Sequence, residues 1–93
     1  MTMLKIRYLR KFKRDLKRLQ KQGKDMEKLK TVVRLLCDGK ELPPKYVDHP
    51  LKGEWSDFHD CHIEPDWVLI YRIEQDELLL VLARSGSHSE LDL

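Results

Sequence analysis

The segment that decides the fold is residues 67–83, WVLIYRIEQDELLLVLA. Its first half is nearly all aliphatic or aromatic, which is typical of a strand that is buried on both faces. Gln75 and Asp76 mark a turn, and a second apolar run of strand length follows over residues 78–83. The segment therefore predicts two inner strands of a sheet.

The N-terminal third predicts a strand followed by a helix. Apolar and basic residues alternate over residues 4–8, which indicates a short strand with a polar face. Phe12, Leu16 and Leu19 then recur at spacings of four and three, so they share one face of a helix. Gly23 ends this helix.

A second helix and a further strand complete the pattern. Asp25 is the predicted N-cap of the second helix. The apolar stripe of that helix is Met26, Leu29, Val32, Val33 and Leu36. Pro43 and Pro44 start an extended linker, and residues 57–64 are a strand candidate. The order β-α-α-β-β-β predicts an α+β fold in one domain over residues 1–93, a small antiparallel sheet with the two-helix hairpin packed on one face.

Composition and length exclude several classes of protein. The 93 residues are 41% hydrophobic and 37% charged, which excludes collagen-like, disordered and membrane-spanning chains. The longest apolar run, residues 78–83, is far shorter than the ~20 residues of a transmembrane helix, and no signal peptide is visible. Cys37 and Cys61 are too few for a disulfide scaffold, so we expect reduced thiols, a cytoplasmic location and no membrane contact.

The net charge of +2 conceals an uneven distribution. Residues 1–30 contain twelve lysines and arginines against three acidic residues, a charge of +9, whereas residues 31–93 have a charge of −7. A basic block of this density favours a polyanionic partner, nucleic acid or an acidic protein, and the alternative is a solvated helix face with no partner. The basic side chains of the first helix are Lys11, Lys13, Arg14, Lys17, Arg18 and Lys21.

The candidate catalytic residues lie near turns and strand ends. His49 precedes the sheet, His62 and Asp66 flank the link between two strands, and Arg84 and His88 follow the last strand. If the inner strands are antiparallel neighbours, Asp66 and Arg84 lie at the same edge of the sheet, where the five residues converge. Taken alone, each histidine is more simply interpreted as a surface or capping residue.

These residue types suit the cleavage of RNA without a metal. The reaction needs a base for the 2′-hydroxyl proton and an acid for the departing 5′-oxygen, and histidine and carboxylate supply both. It also needs a cation beside the phosphorus, and the Arg84 guanidinium binds phosphate in a forked geometry. The competing interpretation is a metal site. Two observations speak against it: His59 and His62 would point to opposite faces of a strand, and Cys37 offers only one further ligand. We therefore expect neither a metal nor a cofactor. Trp55 is either a packing residue or a platform on which a base stacks.

Three motifs of the chain are HPLKGEW at residues 49–55, HIEPDWVLIY at residues 62–71 and RSGSH at residues 84–88. Their sequence, order and spacing closely resemble the YafQ branch of the RelE-type toxins, and the similarity covers nearly the whole chain. The resemblance implies a microbial ribonuclease-like fold and the toxin of a bacterial toxin–antitoxin pair, which cleaves mRNA in the ribosomal A site. The partners that it implies are a cognate antitoxin, the 70S ribosome with its 16S rRNA, the mRNA substrate, and operator DNA through the antitoxin.

The resemblance also implies a role for each matched residue. It places the catalytic histidine of the first motif on His49, a functional histidine and aspartate on His62 and Asp66, the phosphate-binding arginine on Arg84 and the last catalytic histidine on His88. The chain departs from the family pattern at the C-terminus, where relatives tend to carry an aromatic residue and this sequence reads ELDL.

Two functions from different classes fit these observations. One is a ribosome-dependent endoribonuclease toxin, and the other is a module that binds nucleic acid without cleaving it and inhibits translation or represses its own operon. The basic side chains of the first helix, predicted to contact RNA and the ribosome, serve either function because phosphate contacts give affinity without sequence information. The His/Asp/Arg set favours cleavage, so the sequence predicts the endoribonuclease.

Overall fold

The computed structural model describes residues 3–93, and its elements follow the predicted order with one additional short strand before the last three. They are β1 (Lys5–Tyr8), α1 (Arg10–Lys21), α2 (Met26–Cys37), β2 (His49–Pro50), β3 (His59–Glu64), β4 (Trp67–Glu74) and β5 (Leu79–Gly86). The strands form one five-stranded sheet in the order β1-β5-β4-β3-β2. The predicted α+β fold is confirmed, and the sheet is antiparallel except that β1 runs parallel to β5.

Both helices pack on one face of the sheet, as their apolar stripes predict. Asp25 caps α2, because its carboxylate accepts the backbone N–H of Glu27 at 3.1 Å. Gly23 follows α1 with a φ of 76°, a conformation that glycine adopts without a Cβ penalty. Buried residues of the core between helices and sheet include Phe12, Leu19, Val32, Trp67, Leu69, Leu80 and Leu82. Neither helix, at 12 residues, has the length and apolar character needed to cross a membrane.

The segment that leads into the sheet differs from its prediction in three places. Pro44–Tyr46 forms a 3₁₀ turn rather than an extended linker, because the fixed φ of proline also suits the start of such a turn. His49, predicted to lie in a loop, belongs to β2 and pairs with β3. The strand predicted from residue 57 begins at His59, because the 3₁₀ turn Gly53–Trp55 and the turn after it occupy the preceding residues.

A bulge in β5 turns Arg84 away from the main core. Arg84 pairs with Ile70, and Leu82 pairs with Tyr71, so Ala83 is an extra residue on β5. Because Leu82 faces the helices, strict alternation would have sent Arg84 to the same side. The bulge instead places Arg84 on the side of Ile70, opposite the helices. The prediction that Arg84 follows the last strand was wrong, since β5 extends beyond it.

The sheet face opposite the helices carries a second, smaller apolar cluster. Its buried members are Val68, Ile70, Ala83 and Leu91. Trp55 and Phe58 pack against these residues, with their ring centroids 5.1 Å apart in an edge-to-face contact. Trp55 therefore contributes to packing, and this face of the sheet is only partly open to solvent.

α1 takes the place of a neighbouring strand along the end of β5. Pairing with β1 stops at Tyr8 and Leu82, so within the described residues no strand lies beside the last part of β5 on the side away from β4. There the backbone N–H of Ser85 donates to the Asp15 carboxylate at 3.0 Å, and its carbonyl accepts from the Arg18 guanidinium at 2.8 Å. Two side chains of α1 thus satisfy both backbone groups of Ser85.

Candidate active site

A row of four residues crosses the sheet on the face opposite the helices. The strand register pairs His49 with Asp60, Asp60 with Ile70, and Ile70 with Arg84. Residues that pair directly share a face, and neighbouring strands are about 4.8 Å apart, so the backbones of His49 and Arg84 are about 14 Å apart. The row therefore has a histidine at one end and an arginine at the other.

Three histidine rings lie next to one another on this face. His62 lies two residues beyond Asp60 on β3, which gives it the same orientation. The centroid of its ring is 6.5 Å from that of His49 and 5.1 Å from that of His88, and both ring pairs meet edge to face. The three histidines were expected to converge, and the structure brings them together with His62 between the other two.

Asp66 fixes the ring of His88. Its Oδ1 accepts both the backbone N–H of His88, at 3.0 Å, and the ring Nδ1, at 2.7 Å. An ionised carboxylate only accepts hydrogen bonds, so Nδ1 carries a proton and Nε2 remains for exchange with a ligand. The ring contact, followed by the backbone N–H, holds the pKa of Asp66 below its usual range.

His49 lies between a carbonyl and a buried carboxylate. Its Nδ1 is 3.0 Å from the carbonyl oxygen of Val47, and its Nε2 is 3.0 Å from Oδ1 of Asp60. Because a carbonyl only accepts, Nδ1 carries the proton in this contact. Nε2 faces a second acceptor, the Asp60 carboxylate, so this contact is an ion pair with a protonated ring, and Nε2 acts as a base only after that proton has left. Asp60, which is 4% exposed, lies where it stabilises the positive charge of the ring once Nε2 is protonated.

Arg84 is bound to a buried carboxylate on α1. Its Nε donates to Oδ2 of Asp15 at 2.8 Å, and its Nη2 donates to Oδ1 at 3.2 Å. Burial opposes the charge on Asp15, but hydrogen bonds from Arg84, the Ser85 N–H and Arg18 outweigh burial and hold the pKa of Asp15 below its usual range. Among the described residues, no hydrogen bond or ring contact joins Arg84 to the three histidines. Arg84 and the histidines share one face of the sheet, rather than the sheet edge that the sequence predicted.

Five of the six basic side chains predicted to contact RNA share one property. They are exposed and form no ion pair within residues 3–93, and they are Lys11, Lys13, Arg14, Lys17 and Lys21. Arg18 differs, because its guanidinium contacts Asp15 at 2.7 Å and Glu90 at 3.0 Å as well as the Ser85 carbonyl. The outer surface of α1 is therefore a basic face of five side chains, and Arg18 is committed to internal contacts.

Sequence reasoning missed two carboxylates of this region, Asp15 and Asp60. Asp15 is the lone acidic residue between residues 10 and 24, and its spacing from Phe12 and Leu19 puts it on the apolar side of the helix. An acidic residue on the buried side of a basic helix was a signal that an internal cation pairs with it. Asp60 gave a weaker signal, because its strand has apolar residues on both faces. Its position in the sequence therefore does not show whether its side chain is buried.

The residues of β3 do not form a metal centre. No group of three or more His, Cys, Asp or Glu side chains within residues 3–93 is arranged to hold a metal ion. His59 lies beside the Tyr71 ring, with centroids 5.7 Å apart, and its Nδ1 is 3.4 Å from Asp48. Burial, with the charges of Asp48 and Asp60, raises the pKa of Cys61 to about 12, which keeps the thiol protonated near neutral pH.

Two of these histidines are placed to transfer protons on opposite sides of a bound phosphate. Nε2 of His49 can accept a proton, and Nε2 of His88 can donate one when its ring is charged. His62 lies between them, and Arg84 adds a permanent positive charge on the same face. This set of groups suits the cleavage of a phosphodiester that has a neighbouring hydroxyl.

Comparisons with known proteins identify the family of this chain. Residues 4–93 match the sequence model of a family described as bacterial toxin of type II toxin–antitoxin system, YafQ. The mRNA interferase toxin YafQ of Escherichia coli strain K12 is 44% identical over 87 residues, which are 92% of each chain.

Solved structures give the same assignment. The crystal structure of the metal-bound toxin from Helicobacter pylori matches with a TM-score of 0.90 at 50% identity, covering 96% of this chain and 99% of that one. A chain of the E. coli DinJ–YafQ toxin–antitoxin complex matches with a TM-score of 0.87 at 43% identity, covering 96% and 97%. The chain therefore belongs to the YafQ family of bacterial toxins of type II toxin–antitoxin systems.

Proposed function

We propose that this chain is an endoribonuclease that cleaves mRNA in the ribosomal A site by acid–base catalysis without a metal, and so inhibits translation. The main support for this proposal is the set of three adjacent imidazoles, in which the outer rings, those of His49 and His88, are each held by a hydrogen bond at Nδ1. The name of the E. coli relative, an mRNA interferase, supports the reaction class.

The outer two histidines carry out the proton transfers. Nε2 of His49 takes the proton of the 2′-hydroxyl as the 2′-oxygen bonds to phosphorus. The bond from phosphorus to the 5′-oxygen then breaks, and Nε2 of protonated His88 gives its proton to that oxygen. The products are a 2′,3′-cyclic phosphate and a 5′-hydroxyl end, and the base and acid end the cycle with their protonation states exchanged.

His62 lies between these two rings, so we assign it to the phosphate. In an in-line displacement the attacking and leaving oxygens are on opposite sides of phosphorus, so the base and acid flank the phosphate. His62 and Arg84 then stabilise the negative charge that builds up on the non-bridging oxygens. Asp66 is better suited to holding His88 than to acting as the base, because Oδ1 is already engaged and its pKa is lowered.

The same proposal covers the partners. The E. coli relative has been crystallised with the antitoxin DinJ, which supports a cognate antitoxin for this chain. In this proposal the antitoxin silences the chain and carries it to operator DNA. The basic face of α1 binds the 16S rRNA of the 70S ribosome, because exposed lysines and arginines release counterions from nucleic acid. Cleavage of mRNA on ribosomes requires the protein to act in the cytoplasm.

The test compares cleavage on and off the ribosome. Primer extension on a translated mRNA should show cuts in the presence of ribosomes and none on the free transcript. Cutting of the free transcript at equal rate would overturn the ribosome dependence, and tight ribosome binding without any cutting would favour the non-cleaving translation inhibitor.

A second experiment separates the acid from the base. When sulfur replaces the 5′-oxygen of the scissile bond, the leaving group no longer needs a proton, so this substrate should restore the rate of His88→Ala but not that of His49→Ala. His59→Gln is the matched control, because His59 contacts Asp48 and Tyr71 rather than the three-ring set, and it should cleave at the parent rate. Restoration of His49→Ala instead would reverse the two roles.

A further inference from the structure

Asp15 has the contacts of a residue that orients another side chain. Its carboxylate is 2% exposed and accepts hydrogen bonds from three residues. Those donors are the guanidinium of Arg84, the guanidinium of Arg18 and the backbone N–H of Ser85. A buried carboxylate persists only where such donors replace its lost hydration, so the site holds Asp15 firmly in place.

Asp15 binds the Arg84 guanidinium through two hydrogen bonds. Nε meets Oδ2 at 2.8 Å and Nη2 meets Oδ1 at 3.2 Å, which fixes the plane of the guanidinium as well as its position. Of its five N–H groups, those on Nη1 and the second one on Nη2 stay available. The Arg84 side chain remains 22% exposed, so part of the fork is accessible from outside.

The bulge in β5 and this contact act on the same side chain. The bulge carries Arg84 to the face that bears the histidines, but an unrestrained arginine has many rotamers and would point its charge in many directions. Asp15 lies on α1, outside the sheet, and binds the guanidinium from the edge of β5. The free N–H groups are those that do not face the Asp15 carboxylate.

We propose that Asp15 is a positioning residue for Arg84, which it holds so that the free guanidinium N–H groups meet a phosphate oxygen of the RNA substrate. The inference rests on the proposed function, in which Arg84 stabilises charge on the phosphate. It adds a residue outside the three motifs, and one that contacts no part of the RNA itself.

Asp15 also has a purely structural contact, so the test must separate the two roles. Its hydrogen bond to the Ser85 N–H completes the edge of β5 and would stabilise any protein with this fold. A loss of folding would slow every step of catalysis, whereas a loss of positioning acts through Arg84 alone. The interaction between two substitutions distinguishes these cases.

The experiment is a double-mutant cycle of Asp15→Asn and Arg84→Ala, read as single-turnover cleavage on programmed ribosomes. Asp15→Asn keeps the shape and one acceptor oxygen, and we expect a rate loss of about 10²-fold, the size associated with a misplacement of 1 Å, with little change in ribosome affinity. The double variant should be no slower than Arg84→Ala, since Asp15 has nothing to position once the guanidinium is gone. Rate losses that multiply, or a parent-like Asp15→Asn, would overturn the proposal.

Two further measurements complete the design. Glu90→Gln is the matched control, because Glu90 accepts from Arg18 and from the Ser87 N–H at the same sheet edge without contacting Arg84, and it should cleave at nearly the parent rate. In the free protein, nuclear magnetic resonance should show that the Arg84 Nε proton exchanges slowly with water, and faster in Asp15→Asn. Fast exchange of the Arg84 Nε proton in the parent would disprove the contact with Asp15, whatever the cleavage rate. Slow exchange in a parent that cleaves no mRNA would refute the proposed function, and the positioning role with it.

Discussion

Oδ1 of Asp66 accepts two hydrogen bonds from His88, one from the backbone and one from the ring. The same atom therefore sets both the place of the residue and the identity of the ring nitrogen that carries the fixed proton. Asp66 is itself an exposed turn residue between β3 and β4, so the acid of the proposed reaction depends on a carboxylate that the fold does not bury.

The first prediction follows from this contact. Asp66→Asn replaces an acceptor by an amide that can also donate, so His88 loses the preference for its Nδ1–H tautomer. We expect single-turnover cleavage to fall by about 10²–10⁴-fold, the usual value of acid–base assistance, with ribosome affinity retained. Nitrogen chemical shifts of the His88 ring report the tautomer, and a variant that cleaves at the parent rate would contradict the role given to Asp66.

The second prediction concerns the basic face of α1. Replacing Lys11, Lys13, Arg14, Lys17 and Lys21 by glutamine should weaken ribosome binding and reduce its dependence on salt, by a slope of about 0.7–0.9 for each phosphate that is no longer neutralised. Folding should persist, because the apolar side of α1 is unchanged. Binding measured over a range of salt concentrations checks this, and an unchanged slope would show that α1 does not face the rRNA.

The third prediction is a dependence of stability on pH. The pKa of Asp15 is lowered in the folded protein, so below about pH 4 the unfolded chain takes up a proton that the native state resists. The stabilisation from Asp15 is thus complete above that pH and is lost as the pH falls through the native pKa. We expect Asp15→Asn to cost about 3 kcal/mol at neutral pH, as for a broken buried pair, and progressively less in acid.

Urea denaturation of both proteins at several pH values measures this difference. A gap between parent and Asp15→Asn that stays constant from neutral to strongly acid pH would mean that the charge of Asp15 does not contribute to stability. The opposite sign, with a gap that grows in acid, would mean that the native state favours a protonated Asp15.

The fourth prediction is that cleavage does not need a bound metal. The H. pylori relative has been crystallised with a metal, but the proposed steps here use only ring nitrogens and a guanidinium. Pre-assembled ribosome complexes should be cleaved at the parent rate after treatment with a zinc chelator that leaves ribosomal magnesium in place. Loss of cleavage that zinc alone restores would reject the acid–base scheme.

The sequence predicted the parts of the fold that follow from periodicity. The helix stripes, the Asp25 cap and the two inner strands were recognisable because each is a local pattern with one satisfactory solution. The bulge at Ala83 was not, because nothing in a uniformly apolar strand marks where alternation breaks. That single residue decides which face carries Arg84, so the placement of the arginine could not be derived from strand order.

The convergence of the histidines was easier to predict than the contacts of the individual side chains. His62 and His88 were expected to meet because a tight turn and a strand end bring them together, and their rings do so. The partners of the site residues were harder to predict, because Asp15 is 69 residues from Arg84 in the chain and sequence spacing carries no information about such contacts. The one hint of the contact between Asp15 and Arg84 was an acidic residue on the buried side of an otherwise basic helix.

The Asp15 and Arg18 contacts with Ser85 have a consequence for how the protein behaves in concentrated solution. A strand edge with unpaired N–H and C=O groups is a template for the strand of another molecule, and thus a starting point for aggregation. Here the end of β5 offers no such template at Ser85, and Pro50 removes a donor from β2 at the opposite border of the sheet. The remaining border, β1, is four residues long and carries the charges of Lys5 and Arg7. The sheet is thus protected against edge-to-edge association at each border by a different chemical means.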